Sequence, residues 1–276
     1  MNGRRRRRMA PTEAGRREPD MVTALARGLE LLRAFGPGED YLGNAELARR
    51  TALPRPTVSR LTNTLTRLGY LQYSPELEKY RLGPGVLALG YRYLAGVGVR
   101  HLARPLMQAL ADSADCTVSL GTADGVEMTY LEVCASSGPW ILRMDVGARV
   151  PIATTAMGRA YAAALSDTER EALLERLSVH HGERWETLAP AMARGLEEYR
   201  RNGFCIVIGE WEPTVSAVAV PLSLRGGSEM LVLSCGGPAL RLTQPVLEQE
   251  LGPRLRELAT SLKALMEGQG QEVVRN

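Results

Sequence analysis

Between residues 23 and 68 the apolar positions fall three and four residues apart, the spacing that lines one face of a helix. Leu25, Leu29, Leu32 and Phe35 make the first such stripe, over Thr23 to Phe35, and Gly36-Pro37-Gly38 ends it. Ala45, Leu47 and Ala48 make a second, opened by Asn44, whose side-chain oxygen suits an N-cap. Thr51-Ala52-Leu53 breaks the pattern. Pro54 and Pro56 then stand where a helix tolerates proline, in its first turn, and Val58, Leu61, Leu65 and Leu68 form a third stripe. Beyond them the period changes to two. Gly69 to Tyr73 and Lys79 to Leu82 read as short strands joined by Ser74-Pro75-Glu76. Three helices and a two-stranded ribbon make a winged helix-turn-helix.

Gly83-Pro84-Gly85 closes that unit. Val86 to Val99 reads as an apolar linker helix, interrupted by Gly90, Gly96 and Gly98, that must bury most of its surface on a partner subunit or on its own second domain. From His101 the character changes. A helix over 101–112 precedes strands at 116–121 and 126–133, joined at Ala123-Asp124-Gly125, with a third strand expected from Trp140 to Val146. An Ala-rich helix over Thr154–Leu165 leads to Ser166-Asp167-Thr168-Glu169, a capping-box match opening the next helix. A helix around Pro190 to Arg201 stops at Asn202-Gly203; strands follow at 204–208, 214–222 and 230–235, then a helix from Thr243. Helices flanking a run of mostly antiparallel strands predict an α+β sandwich, whose strand order the sequence leaves open. The fold class is therefore α+β with two domains. The expected boundaries are a disordered basic tail at 1–20, the winged unit at 21–84, the linker at 85–100 and the larger domain at 101–270.

Charge separates the two parts. Residues 1–84 carry sixteen Lys/Arg against nine Asp/Glu, while the remainder carries eighteen against twenty-two. A basic N-terminal part on a mildly acidic body points to a polyanion partner for the former. Seven of those cations precede residue 18, however, and without them the excess vanishes. The third helix must carry the argument. Its polar face holds Arg55, Thr57, Ser59, Arg60, Asn63, Thr64 and Arg67 and no carboxylate, which suits a helix entering the DNA major groove. Lys79 and Arg81 on the wing suit backbone phosphates, and Arg4 to Arg8 read either as an arm on phosphates or as a solvated tail. Winged helices also serve as protein-docking modules; a cationic helix without carboxylates argues against that use here.

Several classes are excluded by what the chain lacks. No run of eighteen apolar residues spans a membrane and no apolar segment follows the basic N-terminus, so a cytoplasmic protein is expected. Cys116, Cys134, Cys205 and Cys235 are widely spaced, with only three histidines beside them, which predicts buried free thiols and neither metal nor cofactor. His180-His181-Gly182 reads as a surface loop. There is no G-x-S-x-G elbow or P-loop, and Cys235 beside Gly236-Gly237 has no histidine near it in sequence, so catalysis is not expected. A DNA binder without a ligand would not need the 170 residues from 101 to 270.

The segments AELARRTALPRPTVSRLTNTLTRLGYL at 45–71, YRLGPGVLALG at 80–90, VPIATTAMGRAYAAAL at 150–165 and LSCGGPALRLT at 233–243 resemble, in this order, the IclR family of bacterial transcription regulators. The resemblance implies a winged helix-turn-helix, a linker helix and a C-terminal GAF-like α/β domain that binds a small effector, an organic acid or an aromatic. It also implies a homodimer, often a dimer of dimers, on double-stranded operator DNA, acting more often as a repressor. Arg55, Pro56, Thr57, Ser59 and Arg60 match the groove-facing positions of the family, and Asn44, Thr64, Lys79 and Arg81 complete the expected DNA-binding set. For the effector the resemblance points to Thr154, Thr155, Ala156, Gly158, Ser234 and Gly236, with Glu210, Trp211 and Ser216 in the loop and strand that close the pocket. Helix-terminal N–H groups near Thr154 and Thr155 suit an anion. The chain departs from common members at Cys235, at Gly236-Gly237 and in the apolar Ile206-Val207-Ile208, where polar ligand contacts occur in the family.

Overall fold

The computed structural model describes residues 21–36, 38–138, 142 and 144–273, in two compact units that divide between Tyr93 and Leu94. The expectations for the tail at 1–20 and for Trp140 lie outside the described residues.

In the N-terminal unit α1 (Thr23–Arg33), α2 (Asn44–Thr51) and α3 (Arg55–Arg67) surround a core of Leu31, Leu42, Leu47, Val58, Leu65 and Leu71. β1 (Leu71–Ser74) pairs antiparallel with β2 (Lys79–Leu82), and Leu42 bridges to Tyr80 as a minimal third strand. This is a winged helix-turn-helix. Arg50 holds its corner, donating to the Ala34 carbonyl at 3.0 Å and to the carboxylates of Glu39 and Glu46, with a single Nη2 reaching them at 2.7 and 2.9 Å.

Three local expectations change. Gly43 (φ −85°, ψ 161°), not Asn44, occupies the capping position of α2. Asn44 is the first helical residue, and its Oδ1 accepts the Thr62 hydroxyl at 3.3 Å. Thr62 is fully buried, and its hydroxyl stands between two acceptors, Asn44 Oδ1 and the Ser59 carbonyl at 3.2 Å. Thr62 in turn takes the core position expected of Leu68, which is exposed because α3 stops at Arg67 and Gly69 (φ 79°) redirects the chain. On α1 the buried residues are Gly28 and Leu31, while Leu25 and Leu29 face outward.

The linker helix α4 (Pro84–Gly96) departs further. It contains no buried residue, and Leu87, Leu89, Tyr91 and Tyr93 are all exposed, Leu87 by 75 %. A single chain thus leaves this apolar helix uncovered.

The C-terminal unit is one antiparallel sheet between two layers of helices. Its strands are β3 (Thr117–Asp124), β4 (Glu127–Ala135), β5 (Arg149–Pro151), β6 (Cys205–Ile208), β7 (Val215–Leu224) and β8 (Glu229–Pro238), in the spatial order β5-β4-β3-β8-β7-β6. On one face lie α5 (Val99–Ala114) and the C-terminal helix, in which α9 (Gln244–Val246) passes through a π-helical turn (Leu247–Leu251) into α10 (Gly252–Val273). Against the other lie α6 (Ala156–Ala164), α7 (Asp167–His181) and α8 (Trp185–Asn202). The capping box at Ser166 is formed, with the Ser166 hydroxyl accepting from Glu169 N–H and the Glu169 carboxylate accepting from Ser166 N–H. All four cysteines are buried free thiols.

No strand occupies the described residues between 142 and 148. Instead a turn at Gly147 (φ 89°) lays the chain on β4, with Gly147 N–H donating to the Tyr130 carbonyl and Tyr130 N–H to Ala148, and the edge strand starts only at Arg149. The His180-His181 pair is not a loop either: α7 runs through both, stops at Gly182 (φ 54°), and His181 stacks on Trp185 with ring centroids 6.4 Å apart. Pro190 lies inside α8 rather than at its start.

Two substitutions probe these constraints. Ala52, which ends α2, sits in the left-handed region (φ 53°, ψ 21°), a conformation that costs a non-glycine residue roughly 1–2 kcal/mol. Ala52→Gly should raise stability by about 0.5–1 kcal/mol in urea unfolding, the relief of strain exceeding the added chain entropy. Gly158 presses α6 onto Ile152, where a Cβ would overlap backbone atoms. Gly158→Ala should lower stability by about 1–3 kcal/mol in the same assay.

Candidate functional site

The outward face of α3 is set by its buried one. With Val58, Thr62 and Leu65 inward, helical spacing places Pro56, Arg60, Asn63 and Arg67 along the centre of the exposed side, flanked by Ser59 and Thr64. Arg55, Pro56, Ser59, Arg60 and Thr64 are all exposed, and the face carries no carboxylate. Asn63 and Arg67 belong to it although the expected set omits them; the spacing alone identifies them. Thr57 is half-buried and, with Arg60 and Thr64, borders the groove between α1 and α3, at the edge of the outward face. Asn44 accepts from Thr62 at its Oδ1, and the Thr64 hydroxyl donates to the Arg60 carbonyl at 2.9 Å. On the wing Lys79 is exposed, whereas Arg81 donates from Nε to Gln72 at 2.9 Å and stands 5.8 Å over the Tyr41 ring.

A second candidate site lies in the C-terminal unit, between the sheet and the start of α6. Strand alternation builds it. On β3 and β8, Val118, Leu120, Leu233 and Cys235 point to the core under α5 and α10, which leaves Thr117, Ser119, Ser234 and Gly236 on the opposite face. Those four line a cavity with Tyr130 from β4, Val207 from β6, Val215 and Ala217 from β7, Thr155, Ala156 and Met157 from α6, and Leu142, Met144 and Trp211 from the segments above. Its free space has room for roughly one or two waters. Among the described residues, no charged side chain lines it.

Hydroxyls supply its polarity. Thr155 caps α6, its Oγ1 accepting from Gly158 N–H at 3.2 Å and donating to the Pro151 carbonyl at 2.6 Å. Thr117 donates to the Leu142 carbonyl at 2.9 Å. Burial pushes the Tyr130 phenol up to about 12, against a hydrogen bond with Ser119 that pulls it down, so the group stays neutral and keeps its proton.

Of the expected effector residues, Thr155, Ala156, Trp211, Ser234 and Gly236 meet in this cavity, and four do not. Thr154 stands in the turn before the cap, Gly158 is a packing contact on Ile152, and Ser216 is fully buried. Ser216 alternates with Ala217, which places it on the side of Val218 and Val220, across the sheet from the cavity. The Glu210 carboxylate reaches sideways to Arg159 of α6, at 2.9 and 2.5 Å, which holds its pKa below the usual carboxylate range. Thr117, Ser119 and Tyr130 were missed. A signal for the first two was present in Thr117-Val118-Ser119-Leu120, where hydroxyls alternate with aliphatics in a strand covered on both faces.

These geometries can be set beside known proteins. The IclR helix-turn-helix domain matches residues 24–75, and the C-terminal domain of bacterial transcriptional regulator IclR matches residues 91–264. The HTH-type transcriptional regulator TsaQ1/TsaQ2 of Comamonas testosteroni is 34 % identical over 248 residues, covering 89 % of each chain. The crystal structure of an IclR family transcriptional regulator from Brucella abortus superposes with a TM-score of 0.84 at 43 % identity, over 92 % of this chain and 96 % of that one. An IclR homologue from Microbacterium hydrocarbonoxydans, complexed with 4-hydroxybenzoate, shares the fold with a TM-score of 0.70 at 24 % identity, over 89 % of this chain and 99 % of that one. The chain belongs to the IclR family of DNA-binding bacterial transcriptional regulators.

Proposed function

We propose that this regulator is a repressor whose hold on its operator is set by a small organic acid, an aromatic one among them, bound in the cavity at the start of α6. The cavity carries the reading: the described residues that line it are uncharged, rich in hydroxyls and include Tyr130, Trp211 and two methionines. Such a site recognises a flat apolar body with few polar ends. Thr155 takes the Gly158 N–H, which leaves the first-turn N–H groups of Ala156 and Met157, both cavity residues, to face a carboxylate with the helix dipole behind them. The 4-hydroxybenzoate held by the Microbacterium homologue has this chemistry.

On the DNA side Arg60, Ser59, Pro56 and Arg55 meet the major groove, with Asn63 and Arg67 beside them, while Lys79 and Arg81 meet phosphates. A second copy covers the apolar faces of α4 left open by Leu87, Leu89, Tyr91 and Tyr93, so the working form is a homodimer or a dimer of dimers. The effector acts by linkage, changing operator affinity by the difference between its binding energies for two arrangements of the paired winged domains.

Two measurements test this. In thermal or urea unfolding, 4-hydroxybenzoate at a hundred times its Kd should stabilise the protein by about 2.7 kcal/mol, and the same concentration should weaken operator binding. An acid that binds without changing operator affinity or reporter transcription defeats the linkage. On operator DNA, Arg60→Ala should cost about 1–3 kcal/mol of specific binding; an equal loss on random DNA would make Arg60 a phosphate clamp.

A further inference from the structure

Arg159 is a cation 3 % exposed, one turn inside α6 and outside the cavity lining. Its surroundings are built for it. The guanidinium faces the Ala153 carbonyl from Nε and Nη2 at 3.4 Å, and α8 presents Gly195 where a Cβ would press into the Arg159 stem. The other half of its hydrogen bonding goes to Glu210, which meets it with both carboxylate oxygens. Glu210 is 37 % exposed at its side chain and stands in the loop between β6 and β7, next to Trp211, a wall of the cavity. One partner of the pair is therefore fixed in the interior and the other rides on a surface loop.

The cavity leaves room for roughly one or two waters, so a ring-sized ligand cannot enter or leave with every wall in place. The loop that carries Trp211 is hinged on Gly209 (φ 68°) and held internally by Gly209 N–H to Val215 O and Val215 N–H to Glu212 O, both at 2.9 Å. Its tie to α6 is the two-pronged charged pair, the strongest kind of side-chain hydrogen bonding. Opening it strands a guanidinium in a buried site, which favours the closed loop.

We infer that Arg159 and Glu210 form a latch that holds the Trp211 loop over the cavity and sets how fast ligand exchanges. They are positioning residues, acting on the ligand through Trp211. The inference rests on the reading of this cavity as the effector site, but the latch itself is measurable without any effector.

The experiment is amide hydrogen exchange on the full-length protein, comparing wild type with Glu210→Ala and Glu210→Gln. Cutting the latch should speed exchange of the Gly209 and Val215 amides about tenfold or more in Glu210→Ala. The amides of β3 and α8 should keep their wild-type rates. Glu210→Gln, which retains one acceptor for the guanidinium, should fall between. With 4-hydroxybenzoate as the probe, stopped-flow Trp fluorescence should show dissociation faster by a similar factor in Glu210→Ala. Wild-type exchange rates at Gly209 and Val215 in Glu210→Ala overturn the latch, as does equal acceleration throughout the C-terminal unit, which would mark a merely structural pair. If wild type fails to bind 4-hydroxybenzoate, that ligand assignment falls while the exchange rates still decide the latch.

Discussion

The C-terminal unit depends on the pairing of β3 with β8 at the centre of its sheet. Antiparallel registry sets Val118 opposite Cys235 and Ser119 opposite Ser234. Because side chains alternate along a strand, that registry sends one set to each face at once. Aliphatic and thiol groups go under α5 and α10, where they pack into a dry core and the Cys116 and Cys235 sulfurs meet at 2.9 Å. Hydroxyls and a glycine go to the other face, where the sheet is not fully covered and a cavity remains. A slip of one residue would exchange the two sets, burying hydroxyls in the core and lining the cavity with aliphatics. The stability of the sheet and the chemistry of its binding face are thus one choice of register.

The N-terminal unit is held on a different principle. Its core is small, five buried leucines and a valine, and polar contacts join its helices. Thr62 on α3 and Asn44 on α2 share a hydrogen bond at the junction of the two helices, and Arg50 binds the end of α1 to α2 through Ala34, Glu39 and Glu46. The outward face of α3 is free of such duties at Pro56, Ser59, Arg60, Asn63 and Arg67. Structural polar residues and available ones are therefore separated on a single helix. A sequence shows which residues of α3 are polar, but not that Thr62 is one that the core uses.

Elements written as a period came through most clearly. The three helices and wing, the alternating strands, the capping box at Ser166 and the stop at Gly203 all rest on neighbours in the chain, which a sequence displays directly. What failed rests on contacts between distant segments. Leu68 yields to Thr62 because α3 ends one residue earlier, and the described residues from 144 to 148 form no strand, Gly147 docking on Tyr130 instead. The segments that the resemblance named border the cavity, while the register within them decides which residues line it. Ser216 and Ala217 differ by one position and lie across the sheet from one another. Glu210 was placed in the right loop, but its charge is committed to Arg159, and no local pattern pairs residues fifty-one positions apart.

The passage from wing to linker has a mechanical consequence. Gly83 N–H donates to the Tyr70 carbonyl at 2.8 Å and Gly85 N–H to the Gly69 carbonyl at 3.2 Å, and a Cβ on either glycine would crowd the Gly69 carbonyl oxygen. Gly69 lies two residues beyond the last turn of α3, and Gly85 is the second residue of α4. The end of α3 and the beginning of α4 are therefore joined backbone to backbone at this point. A rotation of α4 therefore acts directly on the backbone at the end of α3, with the two wing strands leaving and returning at that joint.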